Sequence, residues 1–80
     1  MSLPRPLPDN IIVRATSTVT IFRAPDGHSL GDLSPGVPEP MTRRTFRGIS
    51  WFCNGAGAGL SEQGLLRREK MGALEITPVR

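Results

Sequence analysis

The placement of proline and glycine constrains this chain more than any other feature of its sequence. The 80 residues include 8 Pro and 9 Gly, and both residue types interrupt regular helices and central strands. Long helices are therefore not expected. The sequence favours a mainly β protein, in which short strands are joined by turns and proline-rich segments extend from the folded part.

Residues 1–9 are predicted to form an extended N-terminal arm. Residues 3–8 read Leu-Pro-Arg-Pro-Leu-Pro, and proline fixes its own φ while pushing the preceding residue to extended geometry. A polyproline II segment of this kind has no core to build and is typical of docking segments. Residues 5–8 also match the first half of the Arg-x-Leu-Pro-x-x-Pro ligand of SH3 domains, although Ile11 replaces its second proline, so an adaptor recognised through the arm is one alternative.

Residues 10–80 are predicted to form a single small β-rich domain, either a sheet or a partial barrel, because the chain is too short for two domains. Strands are expected near residues 10–23 and 43–54, where β-branched and aromatic side chains are concentrated. A third strand is expected near residues 73–79. Pro78 would confine that strand to an edge of the sheet.

Two further segments separate these strands. Residues 31–42 carry three Pro and two Gly, which predicts a loop or a second extended arm and excludes a central strand. A short helix is predicted near residues 61–71, with Ser61 as its N-cap. A β-hairpin within residues 61–79 is the alternative, because Gly64 weakens the helix.

The chain has few means of stabilising a small fold by itself. Ile, Leu, Val, Phe, Met and Trp together number 24, and small proteins that bury too little apolar surface depend on disulfides, metals or partners. Cys53 is the only cysteine and His28 the only histidine, so an intramolecular disulfide and a four-ligand structural zinc site are both excluded. Other protein subunits of a large, symmetric assembly are therefore the expected partners.

Arginine dominates the basic residues. The formal net charge is +3, and nine of the ten basic residues are Arg, whose planar guanidinium pairs with carboxylates and phosphates. Three arginines are interleaved with aromatic residues in the second predicted strand. The predicted partner-binding residues are Leu3, Pro4, Arg5, Pro6, Leu7, Pro8, Arg43, Arg44, Arg47 and Trp51.

An Arg-rich nucleic-acid-binding module is the alternative function. Interleaved arginines and aromatics are the pattern by which a strand binds single-stranded nucleic acid, through phosphate pairing and base stacking. In this reading the stacking residue is Phe46 or Trp51. The phosphate contacts are Arg43, Arg44, Arg47, Arg67 and Arg68.

The sequence contains no set of residues that indicates catalysis. No pair of carboxylates, no Ser-His-Asp set and no metal cluster is present, so neither an enzyme nor a cofactor is expected. Residues 55–59 read Gly-Ala-Gly-Ala-Gly, a spacing that differs from both the dinucleotide and the P-loop motifs. No apolar run could span a membrane, and no apolar segment follows Arg5 as a secretory signal would require.

A structural accessory subunit is the function that these observations favour. Small β proteins with extended arms and almost no cysteine suit repeated, symmetric docking. The concrete form expected is a virion protein, such as a phage capsid decoration or head-tail component. The protein would then be found in a virion or in a cytoplasmic assembly.

Overall fold

Within residues 7–24 and 26–79, which the structure describes, the chain folds as one open antiparallel sheet of seven strands and one helix. The structure is a computed structural model. The elements are β1 (Asn10–Ala15), β2 (Val19–Arg23), β3 (His28–Leu33), β4 (Pro38–Phe46), β5 (Ile49–Cys53), β6 (Ala58–Ser61), α1 (Glu62–Lys70) and β7 (Leu74–Pro78). The strand order across the sheet is β3-β2-β6-β5-β4-β1-β7. The prediction of a mainly β fold is confirmed.

The prediction of one strand over residues 10–23 is wrong, because the structure divides this segment into β1 and β2. Residues 16–18 separate the two strands, and the backbone N–H of Thr16 donates to the carbonyl of Ala73 at 2.9 Å. An unbroken strand over this segment would be about 46 Å long, whereas the longest extent of the domain is 31 Å. The chain therefore crosses from β1, near one edge of the sheet, to β2, near the other.

The prediction of a loop over residues 31–42 is also wrong. Residues 31–33 end β3, residues 34–37 connect the strands, and the remaining residues begin β4. Because β4 lies between β5 and β1, this segment enters the interior of the sheet, so the exclusion of a central strand on the basis of proline content is wrong.

The register explains how β4 accommodates two prolines. Arg43 donates its backbone N–H to the carbonyl of Asp9 at 2.7 Å, and alternate residues of an antiparallel strand bond to the same neighbour. The nitrogens of Pro38 and Pro40 therefore face away from β1. Strand β5 pairs only with residues 42–46, so neither proline removes a hydrogen bond from the sheet.

The second predicted strand, residues 43–54, is in fact a hairpin of β4 and β5. Arg47 and Gly48 form its turn, and both lie in the left-handed region, with φ of 51° and 79°, as both central residues of a type I′ turn require. Such turns favour Asn-Gly or Asp-Gly, so Arg-Gly inside a β-rich run did not indicate one. The turn places Phe46 on the same face as Trp51, whereas an unbroken strand would separate them.

The helix predicted near residues 61–71 is confirmed as α1, in preference to a hairpin. The Ser61 hydroxyl accepts a hydrogen bond from the backbone N–H of Gly64 at 3.1 Å, the usual interaction of an N-cap. Three basic residues lie in the last turn, where the helix dipole favours positive charge. The following strand, β7, pairs with β1 and lies at an edge of the sheet, as predicted.

The core lies between α1 and one face of the sheet, which we call the inner face; the opposite face is the outer face. The largest fully buried side chains are Phe52, Leu7, Ile11, Met41, Leu65, Leu74 and Val13. Strands β5 and β6 approach closely at Gly59, where an added Cβ would lie 1.7 Å from the carbonyl oxygen of Phe52. Among the described residues, no helix is long and apolar enough to cross a membrane.

Candidate functional site

Arg43 lies on the inner face, where its guanidinium holds the start of the described chain against α1. Its two terminal nitrogens each lie 3.2 Å from a different carboxylate oxygen of Glu62, the bidentate geometry that strengthens such pairs. Nη2 also donates to the carbonyl oxygen of Leu7, and Nε donates to Asp9 Oδ1 at 3.0 Å. Glu62 Oε2 accepts the backbone N–H of Leu7 at 2.9 Å. We call these four residues the Leu7 clamp.

The central ion pair of the clamp is largely shielded from solvent, with side-chain exposures of 16% for Arg43 and 20% for Glu62. The hydrogen bond from Arg43 lowers the pKa of Glu62, against the opposing effect of burial and with a further contribution from the Leu7 N–H. The hydrogen bond to Glu62 likewise raises the pKa of Arg43. The Arg43 guanidinium also lies 4.8 Å from the centre of the Phe52 ring, a cation–π distance. The pair is therefore ionised at neutral pH.

The clamp fixes the last residues of the predicted arm. Leu7 is 2% exposed and belongs to the core, while Pro8 is half-buried. The other predicted contact residues of the arm, Leu3, Pro4, Arg5 and Pro6, lie outside the described residues. The segment before Leu7 is therefore attached to a residue whose backbone N–H and C=O are both hydrogen-bonded.

The outer face of the β4–β5 hairpin carries a different set of residues. Arg44 and Trp51 are direct cross-strand partners, and Phe46 and Ile49 form the next pair toward the turn. Arg44 and Arg47 are exposed, while Trp51 and Phe46 are half-buried. Ile49 is 55% exposed. We call these five residues the Trp51 face.

A groove of about 520 Å³ adjoins this face. It lies beside the part of β5 that precedes Trp51, where β5 has no pairing with β6. The β5–β6 pairing ends at Trp51 and Ser61, because the chain enters α1 directly after Ser61. The groove is lined by Gly48, Ile49, Ser50, Trp51, Ser61, Glu62 and Gln63. Glu62 is the one titratable residue in this lining, and its carboxylate is already bonded within the clamp. The groove therefore offers contact surface and no acid–base pair.

The remaining candidate for reactive chemistry is Cys53. Its side chain is buried, and burial raises the pKa of the thiol against a smaller opposing effect of Arg44. A thiol with a raised pKa contains little of the nucleophilic thiolate. The described part of the chain also contains no group of three or more His, Cys, Asp or Glu residues that could hold a metal ion.

The structure divides the residues that the sequence had grouped. It places Arg44 and Trp51 opposite each other on the outer face, Arg47 in the turn beyond Phe46, and Arg43 on the inner face. Sequence reasoning missed Glu62, because an acidic residue in the first turn of a helix is ordinarily explained by the helix dipole. Its contact with Leu7 spans 55 positions of sequence, and no local pattern indicates a contact at that separation.

Comparison with known proteins identifies no relative: no family model, no curated protein and no solved structure matches this chain.

Proposed function

We propose that this protein is a non-enzymatic structural accessory subunit of a larger assembly. It docks onto neighbouring protein subunits through the proline-rich segment that precedes Leu7, with Leu3, Pro4, Arg5 and Pro6 as the contact residues. Extended proline-rich segments lose little conformational freedom when they bind, because polyproline II geometry is largely set beforehand.

The Leu7 clamp is the observation that supports this proposal. A short segment docks more favourably when its attachment point is already fixed, because less freedom is then lost on binding. Leu7 meets this condition, since its side chain is 2% exposed and Glu62 and Arg43 bond its backbone. The clamp also contains a largely buried ion pair between Arg43 and Glu62. This pair holds the backbone of Leu7 in place, so the segment before Leu7 starts from a fixed position.

The most concrete form of the proposal is a virion protein, such as a phage capsid decoration or head-tail component. A single small domain that carries a proline-rich segment suits repeated docking at symmetry-related positions. The protein would then be recovered in a virion or in a cytoplasmic assembly.

Site-specific photo-cross-linking in the cells that produce the protein tests this proposal. A cross-linking residue placed at position 5 is expected to give a few discrete adducts with other protein subunits. The same residue at position 71 serves as the matched control, because Met71 is 74% exposed at the opposite end of α1 from the clamp.

The double variant Pro4→Ala/Pro6→Ala is expected to lose most of the position-5 adducts, because it removes the fixed φ angles without changing the charge. Equal adduct patterns from positions 5 and 71 would contradict specific docking. A protein that migrates as a monomer from these cells, with no position-5 adducts, would overturn the proposal.

A further inference from the structure

We propose that the Trp51 face is a binding site for single-stranded nucleic acid. Trp51 and Phe46 stack on bases, and Arg44 and Arg47 contact phosphates. This activity is separate from docking through the proline-rich segment, because it uses side chains on the outer face of the hairpin.

The two aromatic residues are neighbours on the outer face of the hairpin. Phe46 pairs with Ile49, and Trp51 lies two positions further along β5, so Phe46 and Trp51 are diagonal neighbours with backbones about 7–8 Å apart. Both side chains are half-buried and neither is enclosed in the core. Such rings provide successive stacking platforms, and stacking is tolerant of sequence because every base has a π face.

The charges on this face match a phosphate backbone. Arg44 lies directly across from Trp51, and Arg47 occupies the turn beside Phe46. Within residues 7–24 and 26–79, neither arginine has a carboxylate partner within 4.0 Å. Both cations can therefore meet a ligand's negative charge next to an aromatic ring.

The fold reduces the number of phosphate contacts that the sequence suggested. Arg43 is bonded within the clamp. Arg67 and Arg68 belong to α1, which packs on the inner face. Two contacts therefore remain, and two predict a slope of about −1.4 for the logarithm of the binding constant against the logarithm of salt concentration.

The aromatic residues favour nucleic acid over an acidic protein as the ligand. An acidic peptide would satisfy Arg44 and Arg47 but would gain nothing specific from two diagonal rings. Nucleic acid uses both kinds of side chain at once, since stacking and phosphate pairing alternate along a single strand.

Titration of the full-length protein with oligothymidylate of about 12 nucleotides tests this proposal, a length within the range of single-strand binding sites. Trp51 is the only tryptophan, so quenching of its fluorescence reports on this face alone. We expect saturable quenching at low salt that weakens as salt is added. Labelled oligothymidylate, followed by anisotropy, provides the second measurement.

Variants that remove the same charge at different places distinguish binding at the Trp51 face from non-specific electrostatic binding to a basic protein. R44Q is expected to reduce the salt slope by about 0.7. The control R67Q removes the same charge from α1 and should leave the slope unchanged. F46L keeps an apolar side chain without the ring and should weaken binding by on the order of tenfold, whereas L30A, at another exposed apolar residue, should not.

The proposal would be overturned if Trp51 fluorescence is not quenched at low salt, or if R44Q and R67Q change the salt slope equally. It would also be overturned if polyglutamate binds as tightly as oligothymidylate and F46L does not weaken the binding of oligothymidylate. The last outcome would identify an acidic protein as the ligand. Circular dichroism of each variant establishes that the sheet is intact, and R44K should restore binding, because it returns the charge.

Discussion

Arg43 and Arg44 are adjacent in sequence and have the same side chain, yet they belong to two regions with opposite properties. Arg43 lies on the inner face, where it is 16% exposed and bonded to Glu62, Asp9 and Leu7. Arg44 lies on the outer face, exposed beside Trp51. Successive side chains of a strand point to opposite faces, so a shift of one position decides whether an arginine stabilises the fold or is available to a ligand.

The largest expected effect of this difference concerns the two phenylalanines of the same hairpin. Phe52 is completely buried on the inner face, so Phe52→Ala should lower the free energy of unfolding by about 3–5 kcal/mol. Phe46 is half-buried on the outer face, and Phe46→Ala should cost about 1 kcal/mol or less. Urea denaturation of both variants measures this difference. Similar losses for the two would show that the outer face is part of the core.

The next largest effect concerns the two arginines. Arg43→Gln should lower the free energy of unfolding by about 2 kcal/mol, because it leaves the shielded carboxylate of Glu62 without its charged partner. Arg44→Gln removes the same charge from an exposed position and should change stability by less than about 0.5 kcal/mol. The same denaturation experiment compares them. If Arg44→Gln is the more damaging variant, the assignment of the two faces is reversed.

The smallest effect is a dependence on pH. Glu62→Gln should cost about 1 kcal/mol at neutral pH, since it removes the charge but keeps an oxygen that accepts hydrogen bonds. The folded state lowers the pKa of Glu62, so the native carboxylate stabilises the fold fully above its unfolded pKa of about 4.3. This advantage is lost as the pH falls through the lower, folded pKa.

Unfolding free energies of the native protein and of Glu62→Gln, measured between neutral and acidic pH, should therefore converge on the acid side. Asp26→Asn is a suitable control, because Asp26 pairs with Arg23 at an exposed site where such pairs contribute little. A gap between native protein and Glu62→Gln that is constant with pH would show that the ion pair does not stabilise the fold.

Much of the fold could be predicted because it depends on local patterns. The Ser61 cap indicates a helix, which is confirmed. The β-branched residues of the segment that begins near Ile11 indicate strand structure, although the structure divides that segment into β1 and β2. The break at residues 16–18 was missed because threonine and serine there do not interrupt a strand locally. It results from the size of the whole sheet, which cannot accommodate so long a strand.

The sequence predicted which types of residue form the candidate sites, but it did not predict how those residues are arranged in space. An Arg-rich, aromatic segment is visible in residues 43–54, and it indicated binding. Alternation along β4 already puts Arg43 and Phe46 on opposite faces, but the placement of Trp51 on the face of Phe46 depends on the turn at Arg47 and Gly48. That turn shifts the alternation of side chains, and its residues carry no strong local signal.

The sequence by itself determined that this protein is mainly β, that Ser61 is suited to cap a helix, and that arginine and aromatic side chains share one segment. These properties follow from intrinsic preferences of the residues and from their spacing. Only the tertiary structure decided which arginine is held inside and which is exposed. Partners such as Leu7 and Glu62 lie far apart in sequence, and packing of the whole sheet is what brings them into contact.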